Sequence, residues 1–328
     1  MLNHGGRLRQ AAETYNIPLQ QWIDLSTGIN PDGWPVADIP PGCFSRLPED
    51  DDELIAVARD YYQVDNLLPI AGSQSVIQLL PRLRSRCKVA VPEVGYAEHA
   101  HAWEKSGHDV VKLSSMQIDR SIDQYDVVVI INPNNPTGEY FKRQQLLEWH
   151  EKLARKNGWL IVDEAFLDAD GAQSLLSSTG MTGLIVLRSI GKFFGLAGIR
   201  SGFAFAEPKL LNKIVDSLGP WALSGPSRFV TAAALADRAW QQRTRQQIKK
   251  KSLRLMQLIK KHTGIETVGT ELFQTLFCDN AVELHDRLAC AGVLTRLLDN
   301  ASGIRFGLPA DDQWPQLENR LKDTFSSI

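Results

Sequence analysis

Between residues 50 and 206, short apolar runs alternate with amphipathic stretches. The runs Leu68–Ala71, Val89–Val91, Asp109–Leu113, Val127–Ile131, Leu160–Val162, Leu184–Leu187 and Gly202–Ala206 predict seven strands. Ser73–Arg84, Ala97–Lys105 and Gln144–Lys156 read as helices between them. Strands that alternate with helices predict an α/β fold, a mostly parallel seven-stranded sheet covered on both faces. Beyond Pro208 the texture changes. Helices are expected over Lys209–Ser217, from Ser227 to about Lys261, over Val282–Ala291 and over Trp314–Phe325, with a β-like stretch at Thr270–Cys278. The first 45 residues are turn-rich, with one short helical stretch, Arg7–Tyr15. The pattern therefore divides the chain into an N-terminal arm (1–45), a large domain (46–208), and linker helices with a small α+β domain (209–328).

Composition narrows the class. The chain has 328 residues, 43% of them hydrophobic and 23% charged, with a net charge of -2. That balance supplies a core and gives no bulk attraction to nucleic acid or to an anionic membrane. Arg243 to Lys261 holds eight Lys/Arg and no acid. Its apolar residues recur at helical spacing, so a solvated helix face is expected rather than a nucleic-acid site. Cys43, Cys87, Cys278 and Cys290 are widely spaced and form no CxxC pair, which suits reduced thiols. Met1 to Gln10 is polar, and no apolar run approaches membrane-spanning length, so a cytoplasmic protein is expected.

The chemistry centres on Lys192, in Ser189-Ile190-Gly191-Lys192-Phe193-Phe194-Gly195-Leu196-Ala197-Gly198-Ile199-Arg200. A lysine amine beside a hydroxyl (Ser189) and an arginine (Arg200) suits a phosphorylated aldehyde, and pyridoxal 5'-phosphate is the aldehyde used this way. Gly72-Ser73-Gln74 closes the first strand and opens a helix, where backbone N–H groups and the helix dipole suit a phosphate; taken alone, an ordinary helix cap is the commoner reading. Asp163 emerges at a strand's carboxyl end, where ligands collect in open α/β sheets. A carboxylate there favours a protonated pyridine nitrogen. No metal-ligand spacing accompanies it. Asn135 lies in a turn-rich loop, Asn132 to Gly138, with an amide suited to a phenolic oxygen. Tyr96 follows another strand and is placed either to stack on a ring or to join the core.

Gly72, Tyr96, Asn135, Asp163 and Lys192 follow successive elements in that order. With the motifs NNPTG, VDEAF, SIGK and GLAGIR, the chain resembles the fold-type I pyridoxal-phosphate enzymes, the aspartate aminotransferase-like group, over nearly its whole length. The resemblance assigns Lys192 to the amine that condenses with the cofactor, Asp163 to the pyridine nitrogen and Asn135 to the phenolic oxygen. It gives Tyr96 to ring stacking, and Ser73, Ser189 and Arg200 to the phosphate. It also implies a homodimer.

The chain ends sharpen the resemblance. His4-Gly5-Gly6 and Asp24-Leu25-Ser26-Thr27-Gly28-Ile29-Asn30-Pro31 look like the N-terminal motifs of the threonine-phosphate decarboxylases of cobalamin biosynthesis. Leu47 stands where related aminotransferases carry a tyrosine, and Phe166 stands where they often carry another. Arg296 and Arg305 occupy positions where the family places substrate-anion arginines, and a guanidinium fork matches both carboxylate and phosphate. A surface ion pair is the other reading of each. His4, Gly5, Gly6 and Asn30 are the remaining candidate substrate contacts. The resemblance implies a phosphorylated amino acid as substrate and α-decarboxylation as the reaction. The alternative is an aminotransferase acting on a phosphorylated amino compound such as histidinol phosphate.

Overall fold

The computed structural model describes residues 4–170 and 173–325. Two compact units divide the chain. One comprises residues 34–135 and 139–241, the other residues 1–33, 136–138 and 242–328.

The first unit is built on a seven-stranded sheet: β1 (Leu67–Ile70), β2 (Lys88–Pro92), β3 (Asp109–Leu113), β4 (Val127–Ile131), β5 (Trp159–Asp163), β6 (Leu184–Ser189) and β7 (Gly202–Phe205). Their spatial order is β1-β7-β6-β5-β4-β2-β3. All pairings are parallel except the two made by β7, which runs antiparallel to both β1 and β6. The central strand β4 reads VVVII and is buried at every position. β-branched side chains fit a pleated strand with helices on both faces. On one face Ile77, Leu80, Trp103, Leu210 and Ile214 pack against Val89, Val129, Ile161 and Leu187.

All seven expected strands are present, each within a residue or two of its expected ends. Three expected elements differ. The helix from Ser73 ends at Leu79, and a 3-10 turn carries Leu80–Leu83, because Pro81 removes a backbone donor. The helix expected from Ser227 to Lys261 is two helices, Gly225–Ala236 and Arg238–Thr263. The break falls at Asp237, whose side chain accepts from the Trp240 N–H at 2.9 Å and from Trp34 Nε1 at 3.2 Å. Gln241 Nε2 covers the carbonyls of Ala234 and Leu235 that the break exposes. The single stretch expected at Thr270–Cys278 is an antiparallel pair, β8 (Val268–Thr270) and β9 (Phe273–Phe277).

The second unit adds β10 (Arg296–Leu297) and β11 (Gly303–Gly307) to that pair, in the order β10-β11-β9-β8, all antiparallel. The helix Leu8–Tyr15 joins it through Ala11, Trp22, Ala289 and Leu294. Ile23–Asp24 pairs in parallel with Val293–Leu294. Residues 34–45 and 209–241 group with the sheet unit instead of with the arm and the small domain. The reason for the latter is the apolar face of the helix Pro208–Leu218, which enters the sheet's own core. Among the described residues no helix is long and apolar enough to cross a membrane.

Candidate active site

Eight of the expected residues lie at one edge of the sheet. Gly202, at the start of β7, is the register partner of both Ile70 on β1 and Ser189 on β6. The turn Gly72-Ser73 follows Ile70, so Ser73 and Ser189 emerge beside one another. Arg200 lies just before β7, with its backbone in the left-handed region (φ 51°). A non-glycine residue there costs on the order of 1 kcal/mol, which the surrounding structure must hold. Gly72 has φ 74°, and a Cβ on it would come 2.8 Å from Arg200 Nη2. Only glycine lets the guanidinium lie against this turn. Two hydroxyls, a guanidinium and the opening of a helix make a donor set suited to a phosphate.

Asp163 ends β5 between Ile131 on β4 and Leu187 on β6. Its Oδ1 accepts from the Ala165 N–H at 3.1 Å, and its Oδ2 lies 3.0 Å from His99 Nε2. Both side chains are almost fully buried. A carboxylate only accepts, so the imidazole proton is on Nε2 and the carboxylate is held in one orientation. His99 lies on the helix Ala97–Lys105, one turn beyond Tyr96, and the two rings meet edge to face at 6.2 Å. The Tyr96 hydroxyl donates to Gln74 Oε1 at 3.1 Å, and Gln74 Nε2 donates to Glu98 at 2.8 Å. Burial, with the negative charges of Glu98 and Asp163, pushes the Tyr96 phenol up to about 12. It stays protonated and presents an aromatic body and a donating tip.

Lys192 follows β6 and Ile190, with its Nζ 5.3 Å from the centre of the buried Phe166 ring. Phe166 is carried by a loop that two buried carboxylates fasten down. Glu164 accepts from Ser174 Oγ and from the Leu175 N–H, and Asp168 accepts from Tyr61. Arg188 joins the two carboxylates, at 3.1 Å from Glu164 and 3.0 Å from Asp168. Burial alone would lower the Arg188 guanidinium, but Asp168 and Glu164 outweigh it and hold it up. Burial raises Glu164.

A model of the aminotransferase class I and II family matches residues 47–300. The chain belongs to that family. A threonine-phosphate decarboxylase of Pseudomonas aeruginosa is 47% identical to it over 98% of this chain and 97% of its own length. Two solved structures share the fold at low identity. A histidinol-phosphate aminotransferase from Sinorhizobium meliloti, in complex with pyridoxal-5'-phosphate, covers 100% of this chain and 99% of its own, with TM-score 0.80 and 17% identity. The L-threonine-O-3-phosphate decarboxylase from Porphyromonas gingivalis covers 93% of this chain and 99% of its own, with TM-score 0.77 and 18% identity. The fold-type I architecture expected from the motifs is thus borne out.

Against this family pattern the sheet unit gathers Gly72, Ser73, Gln74, Tyr96, Asp163, Ser189, Lys192 and Arg200 on the loops that leave one edge of its sheet, and Asn135 closes the loop after β4. The side chain of Gln74 is committed to Tyr96 and Glu98, which leaves its backbone for a phosphate. His99 was not expected from the sequence. Its signal was available in the i,i+3 spacing from Tyr96, which puts both on one helix face.

The remaining expected residues belong to the other unit. Arg296 and Arg305 are register partners on β10 and β11. Arg305 is buried; it donates from Nη2 to the Ser26 carbonyl at 2.7 Å and lies over the Phe273 ring at 5.4 Å. Burial, and then the charge of Arg296, hold its guanidinium down at about 10. Arg296 also forms an ion pair with Asp299 at 2.7 Å. Gly6 N–H donates to Ser26 Oγ at 2.8 Å, which ties the arm that carries His4 and Gly5 to the same residue. Asn30 is buried, and its Oδ1 accepts from the Asp32 N–H at 3.1 Å. Leu47 is 62% exposed.

Proposed function

We propose that this chain is a pyridoxal-phosphate-dependent decarboxylase that converts L-threonine O-3-phosphate to (R)-1-amino-2-propanol O-2-phosphate and carbon dioxide, in cobalamin biosynthesis. The full-length similarity to the Pseudomonas aeruginosa decarboxylase carries the reading. The donor set of the sheet unit fits the cofactor: Ser73, Ser189, Arg200 and the backbone of Gly72–Gln74 would hold its phosphate, and Asp163 its pyridine N–H. Tyr96 would lie on the ring, and Asn135 would donate to the phenolic oxygen. When bound, the cofactor supplies the aldehyde that takes up the substrate amine and the conjugated ring that accepts the electron pair left by the departing carboxylate.

The chain's own residues do the rest. His99 holds Asp163 in one orientation, in which a carboxylate oxygen would meet the cofactor's ring proton. Lys192 would be the amine that condenses with the cofactor's aldehyde and, once freed, would supply a proton to the α-carbon. Arg305 and Arg296 would take the substrate's carboxylate and phosphate, two anionic groups for two register-paired cations. Their hold on the carboxylate would select which bond at the α-carbon breaks. His4, Gly5, Gly6 and Asn30 complete the substrate contacts.

We further read the protein as a cytoplasmic homodimer. Phe44, Leu47 and Trp221 of the sheet unit are 68%, 62% and 58% exposed, apolar surface that a second copy would cover. Equilibrium sedimentation checks this, and a monomer at micromolar concentration would overturn it.

The deciding experiment supplies O-phospho-L-threonine to the holoenzyme with and without 2-oxoglutarate. Carbon dioxide and aminopropanol phosphate are expected without the keto acid. Glutamate formed only when the keto acid is present would replace this reading with transamination.

A further inference from the structure

Ser26 is fixed from several directions within the second unit. Its N–H and hydroxyl both donate to Asp24 Oδ1, at 2.9 and 2.6 Å. The preceding Leu25 is locked on both sides: its N–H donates to the Leu294 carbonyl at 2.7 Å, and its carbonyl accepts from the Gly307 N–H at 2.6 Å. Ser26 Oγ accepts from the Gly6 N–H, and the Ser26 carbonyl accepts from Arg305 Nη2. The same carbonyl faces Gly5, where a Cβ would stand 2.2 Å from the oxygen. The arm and the buried arginine therefore meet at one peptide group that has no slack.

We infer that Ser26 is a positioning residue for Arg305, and that docking of the Gly5–Gly6 arm through Ser26 is coupled to anion binding at Arg305. This deepens the function proposed above and rests on reading Arg305 as an anion-binding residue. Arg305 is a buried cation opposite a second cation, held on the protein side by a neutral carbonyl. An anion that fixes the guanidinium also fixes the carbonyl in the one position that leaves room for the glycine arm. Coupling is reciprocal, so release of the arm loosens Arg305 and weakens the anion. Ser26 acts through its main chain, which is why a small side chain that bonds to Asp24 and Gly6 suffices there. The arm thus reports whether the substrate's anionic group has arrived.

The test follows amide hydrogen exchange at Gly6 in the holoenzyme, with inorganic phosphate as the probe. Loading the cofactor first fills the phosphate site of the sheet unit. Phosphate is expected to slow Gly6 exchange by at least about fivefold, the lower end of ordinary coupling. Arg305→Lys should abolish that slowing. Gly5→Ala should leave Gly6 fast with or without phosphate, weaken phosphate binding about fivefold or more, and raise KM for the substrate by a larger factor than it lowers kcat. Ser26→Ala keeps the carbonyl, so it should speed Gly6 exchange while costing less phosphate affinity than Gly5→Ala. Unchanged Gly6 exchange in the wild type on adding phosphate overturns the inference, as does equal slowing in Arg305→Lys. Neither arm depends on carbon dioxide release, so failure of the decarboxylase reading would be seen separately.

Discussion

His99 and Asp163 form a buried pair, with Nε2 3.0 Å from Oδ2 and side chains 3% and 5% exposed. The second carboxylate oxygen is occupied by the Ala165 N–H, so the carboxyl plane cannot turn without breaking one bond or the other. The carboxylate proposed to meet a ring N–H is thereby held in one orientation.

His99→Leu removes the imidazole donor and frees that plane. We expect kcat/KM to fall roughly 10- to 100-fold, the scale of a misplacement of about 1 Å at a reacting group. His99→Gln places an amide donor at a similar reach and should recover most of the loss. The absorbance band of the bound cofactor, measured on both variants, distinguishes misorientation from a general loss of structure. An unchanged kcat/KM in His99→Leu would deny the pair its orienting role.

Arg188 lies between Glu164 and Asp168 with almost no exposure. Arg188→Met leaves two buried carboxylates without their cation and should cost about 3–5 kcal/mol of stability. The pH dependence has a definite sign. Burial already raises Glu164 above its ordinary value, so the folded protein holds that proton more tightly than the unfolded chain. Its contribution is fully present below the ordinary carboxyl range and is lost as pH rises through the raised value. Without Arg188 the rise is larger, so the deficit of Arg188→Met should shrink as pH falls from 8 towards the ordinary carboxyl range. Thermal melts of both proteins across that range check it, and a deficit that grows on acidification would contradict it.

Much of this architecture was legible in the chain. β4 could be recognised because five β-branched residues in a row have few other homes than a doubly covered strand. Asp163, Ser189 and Lys192 were legible for a related reason: each follows such a run, and the ends of parallel strands gather at one edge. The break at Asp237 was not legible, since apolar residues at helical spacing continue on both sides and the cap depends on Trp34, some two hundred positions away. The pairing of Arg296 with Arg305 was hidden because β10 is only two residues long and β11 begins and ends with glycine. Neither carries a run long enough to show a period of two. Ser26 was invisible as a junction because its partners, Gly5 and Arg305, meet it through its main chain.

Arg305 offers the last prediction. Its guanidinium is held down at about 10 by burial and by Arg296, below the ordinary arginine range. The folded protein therefore binds this proton less tightly than the unfolded chain, so below about pH 10 the charge is a cost to folding, relieved only as pH climbs towards the ordinary value. Like charges on facing strand positions add to the cost. An anion that binds both arginines offsets it. Inorganic phosphate at ten times its dissociation constant should stabilise the holoenzyme by about 1.4 kcal/mol, a rise in melting temperature of a few degrees. Arg305→Met should melt at or above the wild-type temperature without phosphate and gain nothing when it is added. Arg296→Met, whose cation is only part of the pair, should keep part of the gain. Equal phosphate-induced shifts in wild type and Arg305→Met would remove the arginine from the anion site.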